Sequence, residues 1–153
     1  VLQSFSKPYA MTGWRLGYLM ADAPVVEQIQ KVHQYSVVSV SAFTQQACVE
    51  ALQYDNSREM ETFRRRRDYV WGRLQAMGLE VEKPEGAFYL FPSIEKYGIP
   101  SGEFCTRMIR EAGLALTPGS CFSAEGFVRI SYCYSDDALK EGMDRLERFL
   151  QSL

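Results

Sequence analysis

The stretch SFSKPYAMTGWRLGY, residues 4–18, frames the reading of the whole chain. Apolar residues 1–5 (VLQSF) lead into it and residues 15–20 (RLGYLM) lead out of it. Both runs read as short strands, and the segment from Pro8 to Gly13 reads as the loop between them. Just past the first strand stands Lys7, next to Ser6 and three residues after Ser4, and eight residues further on comes Arg15 in a Gly-Trp-Arg turn. A lysine in a polar loop is, taken alone, a solvated surface residue. Here it is bracketed by hydroxyls and a guanidinium that together can furnish donors to an anion.

Working outward, Asp22 and Pro24 mark a helix start, and Val25, Val26, Ile29 and Val32 recur at helical spacing to about His33. A loop near Tyr35 to Ser41 and a further helix through Ala47, Val49, Ala51 and Leu52 follow. Asn56 or Ser57 then caps a long helix whose apolar face is Met60, Phe63, Val70, Trp71, Leu74 and Met77, stopped by Gly78. Its RRRR run, Arg64 to Arg67, reads as a solvated face offset by Glu59, Glu61 and Asp68. LEVE (79–82) and AFYLFP (87–92) read as strands, as do LALT (114–117) and FVRISYC (127–133) around a Pro118-Gly119 turn. Ser101 is expected to cap a short helix carrying Phe104, Met108 and Ile109, and Ser135 a terminal one with Leu139, Met143, Leu146 and Leu150 on its stripe. Helices alternating with short strands predict an α/β chain whose later part is a smaller α+β unit.

Composition narrows the function classes. With 46% apolar residues over 153 positions and a net charge of −2, the chain can bury a core and offers no electrostatic footprint for nucleic acid. It has no basic amphipathic stretch for a membrane surface and no apolar run of spanning length, so small-molecule ligands are the expected partners. Cys48, Cys105, Cys121 and Cys133 form no C-x-x-C pair, which predicts reduced, buried thiols in a cytoplasmic protein and no metal site. The chain opens on VLQSFS without a Met, and is expected to be the carboxy-terminal piece of a longer polypeptide.

An amine set beside an anion cradle is what pyridoxal-phosphate chemistry requires, the Lys forming a Schiff base while charge-assisted bonds hold the phosphate. At these residues the sequence resembles the fold-type I pyridoxal-phosphate aminotransferases of the aspartate/aromatic class. The likeness rests on SFSKPYAMTGWRLGY, on PEGAFYLFP (84–92) with Gly86, Phe88 and Tyr89, and on PGSCFSAEGFVRISY (118–132). It implies Lys7 as the Schiff-base lysine and proton carrier, Ser4 and Arg15 as phosphate ligands of pyridoxal 5'-phosphate, and Arg129 as the grip on the substrate α-carboxylate. Arginine suits that last role because its planar fork can meet both carboxylate oxygens. Ser123 departs from the family pattern, which often has Gly there.

The resemblance further implies that residues 1–56 are the remnant of the cofactor-binding large domain and 57–153 the small domain, in an enzyme that is a homodimer acting on amino acids and 2-oxo acids. It also implies upstream residues absent from this chain, including an Asp at the pyridinium nitrogen, so the chain by itself is expected to be inactive. Two other readings keep the scaffold: a carbon–sulfur β-lyase with the same cofactor, or a non-catalytic regulatory module. Against the likeness, Arg129 alone could be the outward residue of an amphipathic strand, and Arg15 could pair with Asp22 at the surface. Trp14, Tyr18 and His33 read as structural.

Overall fold

Antiparallel pairing of the two runs that flank the opening loop begins the fold. In the computed structural model, which describes residues 1–153, β1 (Leu2–Ser4) pairs with β2 (Gly17–Leu19), Leu2 opposite Leu19 and Ser4 opposite Gly17. Phe5 is buried beneath this ladder, its ring 5.4 Å from Tyr9 and 5.8 Å from Tyr18. Tyr18 therefore packs, as expected, while its outer edge stays accessible. Helices α1 (Ala23–Ser36) and α2 (Ala42–Ala51) follow. The first runs past His33 because the amides of Val37 and Val38 still reach the His33 carbonyl, at 3.0 and 3.2 Å. Two compact units result, Val1–Arg58 and Glu59–Leu153.

Helix α3 (Ser57–Ala76) starts at that junction. Asn56, one of the two expected residues, stands in the cap position directly before its first residue. The Asp55 carboxylate accepts from the Ser57 amide at 3.0 Å and from its hydroxyl, whereas the Asn56 amide donates to the Pro8 carbonyl at 3.2 Å. Its end is as read: Gly78 turns left-handed at φ +71°, its amide bonds Gln75, and the Leu79 amide reaches back to Leu74 at 3.1 Å. Those two bonds satisfy carbonyls that a helix end leaves open, and glycine enters this conformation without a Cβ penalty.

The core of the second unit is one cluster. Val70 and Leu74 from α3 meet Leu90, Ile94, Phe104, Met108, Val128, Ile130 and the α5 stripe, all buried. Helix α5 (Asp136–Gln151) carries Leu139, Met143, Leu146 and Leu150 into that core, and Ser135 caps it by accepting from the Ala138 amide at 3.3 Å, both as expected. The sheet is smaller than the sequence suggested. It has three short strands, β3 (Tyr89–Leu90), β4 (Thr117–Pro118) and β5 (Val128–Ser131), in the order β3-β5-β4 with antiparallel pairing throughout. LEVE forms no strand: its backbone meets the sheet segment only where the Ser93 amide donates to the Glu80 carbonyl at 2.8 Å, and Trp71 Nε1 takes the Val81 carbonyl instead. LALT contributes only its last residue.

Three further expectations change. Ser101 is the first residue of α4 (Ser101–Arg107), not its cap, because the Glu125 carboxylate takes its amide at 2.5 Å and its hydroxyl at 3.1 Å. Ile109 lies outside the core, 54% exposed, where the helix widens through the turn Met108–Ala112. Of the four thiols, Cys48 and Cys105 are buried but Cys121 and Cys133 are exposed.

The arginine run is also only partly a solvated face. Arg64 pairs with Glu61 at the surface, but Arg65 and Arg66 both reach Asp136 at 2.8 Å, and Arg67 bonds Asp68 and the Pro84 carbonyl. Asp136 opens α5, so these bonds tie the start of that helix to α3. The Arg66 bond, with Arg65 beside it, holds the Asp136 carboxyl below the usual carboxylate range, against the opposing pull of desolvation. Because the folded value lies below the unfolded one, this stabilisation is present above about pH 4 and is lost as pH falls through the folded value. Asp136→Asn is therefore expected to lower the urea midpoint of the chain at pH 7 and to make its decline between about pH 5 and pH 3 shallower than in the wild type.

Candidate functional site

Candidate residues lie in both units, and each cluster is built by its own local structure. In the first unit, the turn from β1 into the loop is knitted by short bonds. The Ser4 hydroxyl accepts from the Ser6 amide at 3.1 Å, and the Thr12 hydroxyl donates to the Ser6 carbonyl at 3.0 Å. Arg15 donates from Nη1 to the Thr12 carbonyl at 3.0 Å, and the Phe5 amide bonds the Leu16 carbonyl at 3.2 Å. Ser4 and Arg15 are thereby drawn to the same end of the β1–β2 ladder, with Lys7 in the connection between the two strands. Thr12, which joins the two sides, was not singled out by the sequence reading.

Arg15 follows the short turn Thr12–Trp14 in the left-handed region, at φ +54°. A non-glycine residue held there costs on the order of 1–2 kcal/mol, so the surrounding bonds dictate where this side chain starts. Arg15 forms no ion pair with Asp22; its one intramolecular bond is to the Thr12 carbonyl, so most of its five donors remain available. Ser4, Lys7 and Arg15 are all exposed.

The second cluster lies on the outer face of the three-stranded sheet. Along β5 the alternation is strict: Val128 and Ile130 are buried, Arg129 and Ser131 point the other way. Thr117 stands directly across from Arg129 on β4, and its Oγ1 accepts from Arg129 Nη2 at 3.4 Å. Tyr89 pairs with Ser131 on β3 and so lies diagonal to Arg129, within side-chain reach. The guanidinium carbon sits 4.4 Å from the Tyr89 ring centre and 4.7 Å from that of Phe122. Arg129 is half-buried, and no carboxylate of this chain pairs with it.

Residues 1–146 match aminotransferase class I and II. The chain belongs to that family. It is 47% identical to a probable N-acetyl-LL-diaminopimelate aminotransferase of Bacillus subtilis over 98% of its own length and 39% of the relative's. Its backbone superposes on the aspartate aminotransferase of Thermotoga maritima with a TM-score of 0.93 at 39% identity, covering 98% of this chain and 39% of that one. The aromatic aminotransferase of Pyrococcus horikoshii gives 0.91 at 42% identity, with 99% and 42% covered. The chain thus spans about two fifths of the length of the relatives it matches. Its fold is that of the corresponding part of a fold-type I aminotransferase.

Thr117 and Phe122 were missed as neighbours of Arg129. Alternation places Tyr89 and Arg129 each on one side of a strand, but only the strand register brings them together, and Phe122 arrives from the turn Gly119–Phe122. Ser123 closes the turn in the left-handed region at φ +57°, which glycine enters without a Cβ penalty, with its amide on the Ser120 carbonyl at 3.2 Å. Gly119 opens the same turn with no room for a side chain. A Cβ there would strike the carbonyl oxygens of Ala124 and Phe127. Gly119→Ala is accordingly expected to cost about 2 kcal/mol in urea unfolding and to displace Phe122, whereas Ser123→Gly should gain about 0.5 kcal/mol by relieving the left-handed residue.

Proposed function

We propose that this chain is the carboxy-terminal part of a pyridoxal-phosphate-dependent aminotransferase that moves an amino group between an amino acid and a 2-oxo acid. The observation that carries this reading is the state of Arg129: a half-buried guanidinium lying over two rings, held by one hydroxyl, and matched by no carboxylate of its own chain. A cation held in that way is a receptor for an anion brought from outside, and its fork geometry fits a carboxylate. We assign to it the α-carboxylate of the substrate.

Ser4 and Arg15 fit the phosphate of pyridoxal 5'-phosphate. The Ser4 hydroxyl accepts one bond and keeps its own proton to donate, and Arg15 spends one donor on Thr12. Lys7, on the adjoining turn, is the primary amine that an aldehyde cofactor needs. When bound, that cofactor supplies an electron-withdrawing ring that lets the substrate Cα–H bond ionise. The chain's own residues do the rest: Arg129 holds and orients the substrate, and Lys7 Nζ takes the Cα proton and returns it.

We read residues 1–56 as the tail of the cofactor-binding domain, 57–153 as the small domain, and the working enzyme as a cytoplasmic homodimer. Support for cover over the first unit comes from its exposed apolar residues, among them Val25, Val32, Tyr35, Val38 and Phe43. The net charge of −2 is in keeping with small-molecule partners rather than nucleic acid.

Borohydride reduction of the complete enzyme with pyridoxal phosphate, followed by peptide mapping, is expected to place the label on Lys7; a label confined to another lysine would overturn the assignment. In the same enzyme, Arg129→Lys should lower kcat/KM for an amino acid by about 10- to 100-fold, the loss of one charge-assisted bond.

A further inference from the structure

We propose that Phe122 is a positioning residue that fixes the plane of the Arg129 guanidinium, so that Arg129 presents its N–H donors edge-on to the incoming carboxylate. The proposal rests on the assignment of Arg129 as the carboxylate receptor.

An arginine side chain is long and loses rotamer freedom when a ligand immobilises it, so a receptor arginine binds more tightly if it is held beforehand. Thr117 alone is a weak holder: one bond of 3.4 Å constrains one Nη and leaves the plane free to turn. The plane is fixed instead by aromatic contacts on the two flanks of β5. Tyr89 comes from β3 on one side, at 4.4 Å, and Phe122 from the turn after β4 on the other, at 4.7 Å. Rings over a guanidinium leave its in-plane directions as the ones open to a ligand, and all five N–H bonds lie in that plane.

Phe122 itself has little other reason to be where it is. The ring is 46% exposed and lies outside the buried core of the second unit. What steadies it is an edge contact with Phe91 at 6.1 Å and 80°, Phe91 in turn stacking on Phe127 at 5.3 Å. The backbone beneath it is anchored at both ends. Gly119 bonds the Phe127 carbonyl at 2.8 Å and the Ser120 amide donates to the Ser101 hydroxyl at 3.2 Å. Beyond the turn, Glu125 bonds the amide and hydroxyl of Ser101. A half-exposed phenylalanine on an anchored turn, laid against an unpaired cation, serves the cation.

Such a device acts wherever the carboxylate is bound, before and during reaction, so its loss falls on KM and spares kcat. The test is made in the complete pyridoxal-phosphate-loaded enzyme with Phe122→Ala, Phe122→Tyr and Arg129→Lys. Three readouts are taken: KM and kcat for an amino acid, inhibition by butyrate as a plain carboxylate, and the NMR shift of the Arg129 Nε–H, which the ring currents displace. Phe122→Ala is expected to raise KM and the butyrate inhibition constant about tenfold, to change kcat less than about twofold, and to move the Nε–H resonance toward its solvated position; Phe122→Tyr restores all three. If Phe122→Ala leaves KM and the resonance unchanged while Arg129→Lys raises KM, or if it lowers kcat at constant KM, the positioning role fails and the receptor assignment stands. If Arg129→Lys alters neither KM nor butyrate binding, the receptor assignment fails and this role with it.

Discussion

The outer face of the second unit depends on one geometrical constraint, the two-residue period of β5. Because Val128 and Ile130 must be buried against α3 and α5, Arg129 between them has to leave the core and Ser131 has to follow it. A slip of one residue would drive a guanidinium into the apolar cluster and leave valine and isoleucine in water, which fixes the register of β5 against both neighbours. That register puts Thr117 opposite Arg129 and Tyr89 one step along the diagonal. The polar site is thus a by-product of how the hydrophobic side is filled.

Around that constraint, side chains that look like surface charge on paper act as connectors. Asp136 receives two arginines from α3, Glu125 caps α4 from the far side of a turn, and Arg145 donates to the Ala112 and Gly113 carbonyls at 3.1 Å, closing the end of the helix that Glu125 opens. Each partner is a helix terminus, where backbone groups lack intrahelical bonds and a charged side chain has most to gain. Arg129 stands apart from these pairs. In a chain that matches so many of its charges internally, it lies over two rings with no carboxylate beside it. Cys105, by contrast, is buried beside that network and its thiol is pushed up to about 11 by desolvation, which makes it a packing residue and a poor nucleophile.

In the first unit the same economy of short bonds shapes the opening loop. Thr12 bridges Ser6 and Arg15, and the left-handed backbone at Arg15 sets the direction from which its side chain departs. Residues that looked like independent phosphate ligands in the sequence are parts of one turn, tied through a threonine that carries no chemistry of its own. The family membership, shown by the match over residues 1–146, gives this turn its context.

The sequence by itself determined the parts whose physics is local. Gly78 ends α3, Ser135 caps α5, the α5 stripe is buried, the alternation of FVRIS turns Arg129 outward, and the SFSKPYAMTGWRLGY loop holds its cluster of donors, because each depends on a few neighbouring residues. Tertiary structure alone decided what depends on distant partners. LEVE forms no strand and meets the sheet segment only through the Ser93 amide on the Glu80 carbonyl, Ser101 loses its capping role to a carboxylate 24 residues away, and half of the arginine run is claimed by Asp136. Phe122 meets Arg129 only because a turn folds back over the sheet. Neighbouring residues fix dihedral preferences and periodicity, whereas the pairing of charges and rings is a competition among the whole chain, settled once the core has closed.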